Sequence, residues 1–162
     1  MALQQRKIRI KTEEQLMGIR KSCQLTKAVL DMVAERIGAG IATNEINAWV
    51  HAFITENGGV PAPLDYLGYP KSVCTSINNV VLHGIPDETV LKDGDIINVD
   101  VTSIVDGYFG DASRMYCIGA VSEEARRLVE VTRECLELGI KQVRPGSTVG
   151  HIGQSIQRHA EA

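Results

Sequence analysis

The spacing of apolar and polar positions predicts a long helix near the start of the chain. Thr12 and Gln15 have the spacing of a capping box, so we expect the helix to begin at Glu13 and continue to about Ile37. The glycines over 38–40 end it, and residues 1–11 are predicted to form a polar arm. Residues that recur in steps of three or four predict its buried face: Leu16, Ile19, Cys23, Thr26, Leu30, Val33 and Ile37.

Three further helices follow from the same kind of pattern. Thr43 is predicted to cap the second, and residues 57–59 (Asn-Gly-Gly) end it. Ser122 is predicted to cap a third helix from Glu123 to about Gln142, and a fourth starts near Thr148. When the sequence is aligned with itself at an offset of 106 residues, the first predicted helix pair matches the second, which suggests a weak internal repeat. The buried stripe of the second helix is predicted from Ile46, Trp49, Val50 and Phe53.

Between the helix pairs the pattern changes to that of strands and loops. Val60–Pro70 is predicted to be an aromatic loop, and Ser72–Ile77 and Val80–His83 are predicted to be short strands. Ile96–Tyr116 contains two β-rich runs separated by Asp106-Gly107. Asp-Gly is a preferred two-residue hairpin turn because both central positions need a positive φ. The sequence therefore predicts a long β-hairpin here.

The predicted hairpin places polar side chains together. If Val105 pairs with Tyr108, alternation puts four polar residues on one face, with the two acids diagonal to each other. Acids on a hairpin are often solvated surface groups, and a divalent cation between them is the alternative. Apolar neighbours on the same face make unpaired charge costly and favour the cation. The four polar residues are Asp100, Thr102, Asp111 and Ser113, and the apolar ones are Ile96, Ile104, Phe109 and Met115.

Composition narrows the class of protein. The chain has 162 residues, 44% of them hydrophobic, which is enough for one domain with a core. A formal net charge of −3 argues against nucleic-acid binding driven by charge. We expect no membrane span and no signal peptide, and the four cysteines lack CxxC spacing. These features predict a cytoplasmic protein with reduced thiols.

Four motifs resemble those of the type I methionine aminopeptidases. They are YPKSVCTSIN (Tyr69–Asn78), VVLHGIP (Val80–Pro86), DGDIINVDVT (Asp93–Thr102) and DGYFGDASRMY (Asp106–Tyr116). The resemblance implies an α/β (α+β) pita-bread fold, with two pseudo-symmetric halves over a curved antiparallel sheet. This chain is then expected to be a single domain over residues 1–162, comprising the N-terminal half and the first helices of the second half.

The resemblance also implies an active site. Asp100 and Asp111 would be ligands to two divalent metal ions, typically cobalt, manganese or iron, and Thr102 would support them. His83 would be catalytic and contact the substrate, although a lone histidine at a strand end is more often structural. The pocket for the methionine side chain would include Tyr66, Tyr69 and Cys74, where aromatic rings and a thiol suit a polarizable thioether. Pro63 departs from the cysteine common in bacterial members.

The implied reaction is metal-assisted hydrolysis of the first peptide bond of peptides and nascent proteins that begin with Met. Ribosome proximity, no direct nucleic-acid binding, no membrane association and a monomeric complete enzyme are expected. The family needs one further His and two Glu as ligands, and His151, His159 and Glu161 do not stand in those motifs. We therefore expect a C-terminally truncated piece with weak metal binding, no activity alone and possible self-association. A non-catalytic interaction module that retains the half-fold is the alternative.

Overall fold

The computed structural model describes residues 9–162, so most of the predicted arm over residues 1–11 lies outside the described residues. The described part has a small sheet in the middle of the chain, with one helix pair before it and another after it. In chain order the elements are α1 (Glu13–Arg36), α2 (Thr43–Glu56), β1 (Val60–Pro61), a 3-10 turn (Tyr66–Gly68), β2 (Cys74–Ile77), β3 (Ile96–Val105), β4 (Tyr108–Cys117), α3 (Glu123–Lys141) and α4 (Val149–Ala160).

The sheet is built around β3. The whole of β4 pairs antiparallel with one edge of β3, from Ile96 opposite Cys117 to Val105 opposite Tyr108. The short strands β1 and β2 lie antiparallel along the other edge, with Val60 opposite Ile104. β3 is therefore the strand that positions every other strand of the sheet.

The predicted hairpin register is confirmed. Thr102 lies opposite Asp111 and Asp100 lies opposite Ser113. Asp106 and Gly107 both have positive φ, 51° and 80°, as a tight two-residue turn of this kind requires. The turn therefore fixes which side chains of β3 and β4 share a face.

Helix α1 lies across the face of the hairpin opposite to the acids. Its capping box at Thr12 and Gln15 forms as predicted. The buried face is rotated from the predicted one, because Cys23 and Leu16 are exposed and Ser22 is fully buried. Ser22 is buried because its hydroxyl donates to the carbonyl oxygen of Tyr108 (2.6 Å) and accepts from the Val105 amide (2.9 Å). Hydrogen bonds to the sheet, rather than hydrophobicity alone, set the orientation of this helix.

The hydrophobic core lies between the α1–α2 pair and the sheet. Burial of this apolar surface is the main favourable term in folding. The prediction that the stripe of α2 faces inwards holds for Ile46 and Val50, which are fully buried, and for Trp49 and Phe53, which pack against the core. The largest fully buried apolar side chains here are Val29, Val33, Ile46, Val50, Ile54, Val73, Leu91, Ile97, Val99, Val101 and Ile118.

The prediction of a strand over Val80–His83 is wrong. This segment is an exposed loop, and Val81 is among its exposed apolar residues. Asn78 and His83 have φ of 50° and 56°, which interrupts extended backbone on both sides. The loop is held to β2 at Gly84, whose carbonyl accepts from the Thr75 amide at 2.9 Å.

The second helix pair has the same order as the first, a longer helix followed by a shorter one. α3 and α4 pack against each other, and Gly40 and Gly146, which are 106 residues apart, both have positive φ between their helices. His151 accepts a hydrogen bond from the Thr148 amide at 2.9 Å and so completes the N-terminal cap of α4. His159 pairs with Glu134 at 2.6 Å. Between residues 9 and 162, no helix combines the length and apolar character needed to cross a bilayer.

Candidate active site

One cavity of about 800 Å³ opens on the face of the hairpin that points away from α1. Its walls come from the loop over residues 62–70, from β2, from the loop after residue 82 and from β3 and β4. This cavity brings together all seven residues predicted to form a site: Tyr66, Tyr69, Cys74, His83, Asp100, Thr102 and Asp111.

The two acids form the floor of the cavity. Asp100 is half-buried and Asp111 is exposed. The Thr102 hydroxyl donates to the Asp111 carboxylate at 3.0 Å and so orients it. Burial raises the pKa of Asp100 above its usual value, the negative charge of Asp111 adds to this rise, and His83 opposes it. Asp100 is thus held where its negative charge is costly, because of burial first and the neighbouring Asp111 carboxylate second.

The carboxylate oxygens at the floor of the cavity could supply part of the ligand set of a metal site. Carboxylate oxygens are ligands for divalent cations, and a cation between Asp100 and Asp111 would remove their repulsion. Within residues 9–162, no three His, Cys, Asp or Glu side chains come close enough to hold a metal ion. The described chain therefore supplies two carboxylates, with His83 on the same cavity wall but outside any such cluster.

The apolar wall beside the acids is formed by β2 and the 62–70 loop. Cys74 pairs with Asp100 across the sheet and is buried. The Tyr69 hydroxyl lies 2.9 Å from the Gly84 carbonyl oxygen and 3.1 Å from that of Val73, which anchors the loop. Burial raises the pKa of both Tyr69 and Cys74, so both groups stay neutral at pH 7. The wall next to the acids is therefore uncharged.

His83 reaches the cavity from the loop that was predicted to be a strand. It is exposed and has left-handed backbone geometry. The neighbouring Gly84 lies so close to the β2 backbone that a Cβ atom there would overlap the Thr75 carbonyl. This close approach, which requires glycine, sets the position of His83 over the acids.

Several cavity residues were not predicted from the sequence. Phe109 was placed on the correct face but given no role, and the rest come from loops. The only available signal was the aromatic and glycine content of Val60–Pro70. The unpredicted lining residues are Ala62, Leu67, Gly68, Pro70, Ile85 and Phe109; Pro63, noted as a departure, also lines the cavity.

A carboxylate pair on an antiparallel hairpin, covered by helices on its other face, is an arrangement that suits a divalent cation. Residues 17–162 match the sequence model of metallopeptidase family M24, and the chain belongs to that family. A methionine aminopeptidase of Rickettsia prowazekii is 47% identical over 154 residues, which cover 95% of this chain and 60% of the relative. This chain thus spans about 60% of the length of that relative.

Solved structures agree with this assignment. The crystal structure of methionine aminopeptidase from Rickettsia prowazekii superposes with a TM-score of 0.93 at 46% identity, covering 96% of this chain and 62% of that one. The prolidase from Pyrococcus furiosus has a TM-score of 0.80 at 20% identity, covering 94% of this chain and 44% of that one, and shares the fold alone. The predicted methionine aminopeptidase resemblance and pita-bread fold are both confirmed.

Proposed function

We propose that the protein containing this chain removes the N-terminal methionine from nascent proteins in the cytoplasm. One observation carries the proposal: a neutral slot formed by Tyr69 and Cys74 opens directly beside the Asp100–Asp111 pair in one cavity. A thioether side chain suits such a wall, because thiols and aromatic rings are polarizable. The first residue of a peptide then lies with its carbonyl at the acids. Its expected partners are peptide N-termini that begin with Met, near the ribosome.

Asp100 and Asp111 would hold two divalent ions of cobalt, manganese or iron. When bound, such ions supply Lewis-acid polarisation of the scissile carbonyl and activation of water. Thr102 keeps the Asp111 carboxylate in one orientation through its 3.0 Å hydrogen bond. His83 stands at the cavity wall to contact the peptide amide, and Tyr66 borders the slot at its mouth.

The two carboxylates form an incomplete ligand set for this chemistry. Oxygen ligands from two side chains leave most coordination positions of a transition metal to water. The family resemblance implies further ligands, one His and two Glu, that would fix both ions. We expect residues 1–162 alone to bind metal weakly and to release no methionine.

A non-catalytic interaction module is the second candidate, favoured by the two-carboxylate set within residues 9–162. Reading the encoding DNA beyond codon 162 separates the two. An in-frame continuation with one His and two Glu in the context of the family supports the peptidase. A stop codon there supports the module.

The activity test uses the protein translated from the complete reading frame. Asp100→Asn removes a charge that orients the reacting groups, and we expect a loss of at least about 100-fold in kcat/KM for a Met-Ala peptide. Asp106→Asn, at the exposed hairpin turn, is the matched control. Near-normal turnover of Asp100→Asn at saturating manganese would refute the role of Asp100.

The slot is tested by its selectivity. One methylene in an apolar pocket changes binding by about 1–3 kcal/mol, so the fit around the first side chain decides which residues are accepted. Cys74→Ala enlarges the slot, and we expect it to reduce the preference for Met over other unbranched residues. If changes at Tyr66, Tyr69 and Cys74 all leave the Met preference unaltered, the slot lies elsewhere.

A further inference from the structure

One side of helix α2 carries polar residues that form hydrogen bonds with segments outside the helix. Thr43, Asn47 and His51 recur in steps of four, and Asn44 lies three positions before Asn47, so all four lie on one side of the helix. We call these four residues the polar stripe. The apolar residues of the same helix pack in the core, so the polar stripe extends from an element that is held in place.

The polar stripe binds the segment between the two residues that form the slot. The Ser72 amide donates to the Oδ1 atom of Asn47 at 2.8 Å, and the Ser72 hydroxyl lies 2.9 Å from Nδ1 of His51. The Lys71 ammonium group donates to Oδ1 of Asn44 at 2.6 Å. Ser72 is only 2% exposed, so water does not replace its partners. The side chains of α2 therefore hold this segment.

The segment held by α2 joins the two sides of the slot. Tyr69 lies three residues before Ser72, and Cys74 lies two residues after it, where β2 begins. The sheet fixes Cys74 opposite Asp100, but Ser72 precedes the first paired residue of β2. Asn47 supplies the hydrogen bond that the sheet does not, so it sets the position at which the chain enters the strand.

The same end of α2 binds the loop that carries His83. The amide and the carbonyl of Asp87 both form hydrogen bonds with the Thr43 hydroxyl, each at 2.9 Å. The Nδ2 group of Asn44 donates to the Glu88 carboxylate at 2.6 Å. Because Asn44 also accepts a hydrogen bond from the slot segment, one amide side chain bridges the two loops that form the cavity walls. Both walls are therefore attached to a single helix.

We propose that Asn47 is a positioning residue for the slot: by binding the Ser72 amide, it holds Tyr69 and Cys74 at the separation that selects methionine. This inference rests on the proposed peptidase function and adds to it a residue outside the cavity lining. Without its acceptor the buried Ser72 amide is left unpaired, which is costly, and the segment moves to recover a partner. The movement changes the width of the slot, so it affects binding of the first side chain rather than the reacting groups.

The test measures hydrolysis of Met-Ala-Ser and norvaline-Ala-Ser by the manganese-loaded protein from the complete reading frame. Norvaline is unbranched like Met, and its side chain is shorter. We expect Asn47→Ala to raise KM for the Met peptide about 5-fold with kcat changed less than about 2-fold, and to reduce the preference for Met over norvaline at least about 3-fold. Asn47→Asp keeps an acceptor oxygen for the Ser72 amide, so KM and the preference should both stay within about 2-fold of the unsubstituted protein.

Asn57→Ala is the matched control at the other end of α2. The Asn57 side chain donates to the Phe53 carbonyl of the same helix at 2.8 Å, so KM and the preference for Met should not change. If Asn47→Ala lowers only kcat or the active fraction, with KM and the preference unaltered, Asn47 merely stabilises the fold and the inference is overturned. The same holds if Asn47→Asp behaves like Asn47→Ala, because the acceptor would then not be the cause.

Alkylation of Cys74 by iodoacetamide, followed by peptide mass spectrometry, separates this inference from the proposed function. Cys74 and Cys135 are each 7% exposed, and Cys135 lies on α3 outside the cavity lining. In the metal-free protein we expect Asn47→Ala to speed alkylation of Cys74 at least about 3-fold more than that of Cys135. Equal acceleration of both thiols, or none, would overturn the role of Asn47. If neither peptide is hydrolysed by the unsubstituted protein, the proposed function fails, and selective acceleration at Cys74 still supports the positioning by Asn47.

Discussion

The two faces of the β3–β4 hairpin differ in every property that matters for function. On one face Ile97, Val99 and Val101 are fully buried beneath α1 and α2. On the other, Asp100 and Asp111 face the cavity with partial or full access to solvent. Neighbouring residues of one strand thus belong to the core and to the site in alternation. The difference shows that the acids owe their position to the residues between them, because the packed face fixes the strand that carries them.

Helix α1 strengthens the packed face with hydrogen bonds as well as apolar contacts. The Thr26 hydroxyl donates to the Gly110 carbonyl at 2.8 Å and lies 2.8 Å from the Ser103 hydroxyl. The Tyr116 hydroxyl donates to the Leu30 carbonyl at 2.7 Å. Such bonds inside a core are costly to break, because the freed partner stays buried without water. Among residues 9–162, the two carboxylates on the cavity face receive a single side-chain hydrogen bond, from Thr102 to Asp111, which leaves them available to a ligand.

The largest effect is expected on the packed face, at Gly110. A Cβ atom there would overlap the backbone of Ser22 and Cys23, so Gly110→Ala forces α1 away from the sheet. We expect the free energy of unfolding, measured in urea, to fall by about 3 kcal/mol. The matched control is Gly153→Ala in α4, where a Cβ atom meets open space. That control should gain about 0.5–1 kcal/mol from helix propensity. Equal effects at the two glycines would refute close packing at Gly110.

On the cavity face, loss of the Thr102 hydroxyl should affect binding and leave folding nearly intact. Thr102→Val keeps the shape but removes the hydrogen bond to Asp111, and we expect manganese affinity to fall by about 10-fold. Ser113→Ala, on the same face opposite Asp100, should have little effect. If both variants lose affinity equally, the hydrogen bond is not what orients Asp111.

The smallest expected effect is that of Asp100→Asn on the stability of the metal-free protein. Unlike Gly110→Ala on the packed face, this substitution should stabilise the fold. The pKa of Asp100 is raised from 3.8, chiefly by burial. A carboxyl group whose pKa is raised by folding stabilises the fold only while it is protonated. This contribution is complete at a pH below the pKa of the unfolded chain, and it is lost as the pH rises through the pKa of the folded protein. With chelator at pH 7, Asp100→Asn should therefore raise the free energy of unfolding slightly, and at pH 3 this gain should vanish.

Asp106→Asn is the control for that measurement. Its carboxylate lies on an exposed turn and pairs with Lys21 at 2.6 Å, an interaction that contributes little in water. We expect a change within about 0.5 kcal/mol at either pH. If Asp100→Asn still stabilises the protein at pH 3, the charge of Asp100 is not the cause of the stabilisation.

Much of this contrast between faces could be predicted from the sequence. The Asp106-Gly107 turn sets the register, and strand alternation then assigns each side chain to a face, so Asp100, Thr102 and Asp111 were placed correctly. The roles of those residues came from the family motifs and remain predictions.

The errors arose where conformation depends on distant contacts. Because Ser22 is polar, the periodicity of apolar residues placed Cys23 on the buried face instead. Ser22 is buried because it forms hydrogen bonds with backbone groups of the sheet. The strand predicted after Asn78 failed because two residues other than glycine adopt positive φ. The loop that carries Leu67, where φ is also positive, was unpredictable for the same reason.

The central claim is that the cavity face binds a divalent cation at Asp100 and Asp111, and manganese-induced line broadening tests it on residues 1–162 as they stand. Paramagnetic broadening reports the location of a bound ion even when binding is weak. Substoichiometric manganese should broaden the amide signals of residues 99–103 and 110–112 first, and Asp100→Asn should abolish that pattern. Broadening centred on other acids, such as Glu134, or left unchanged in Asp100→Asn, would contradict the account.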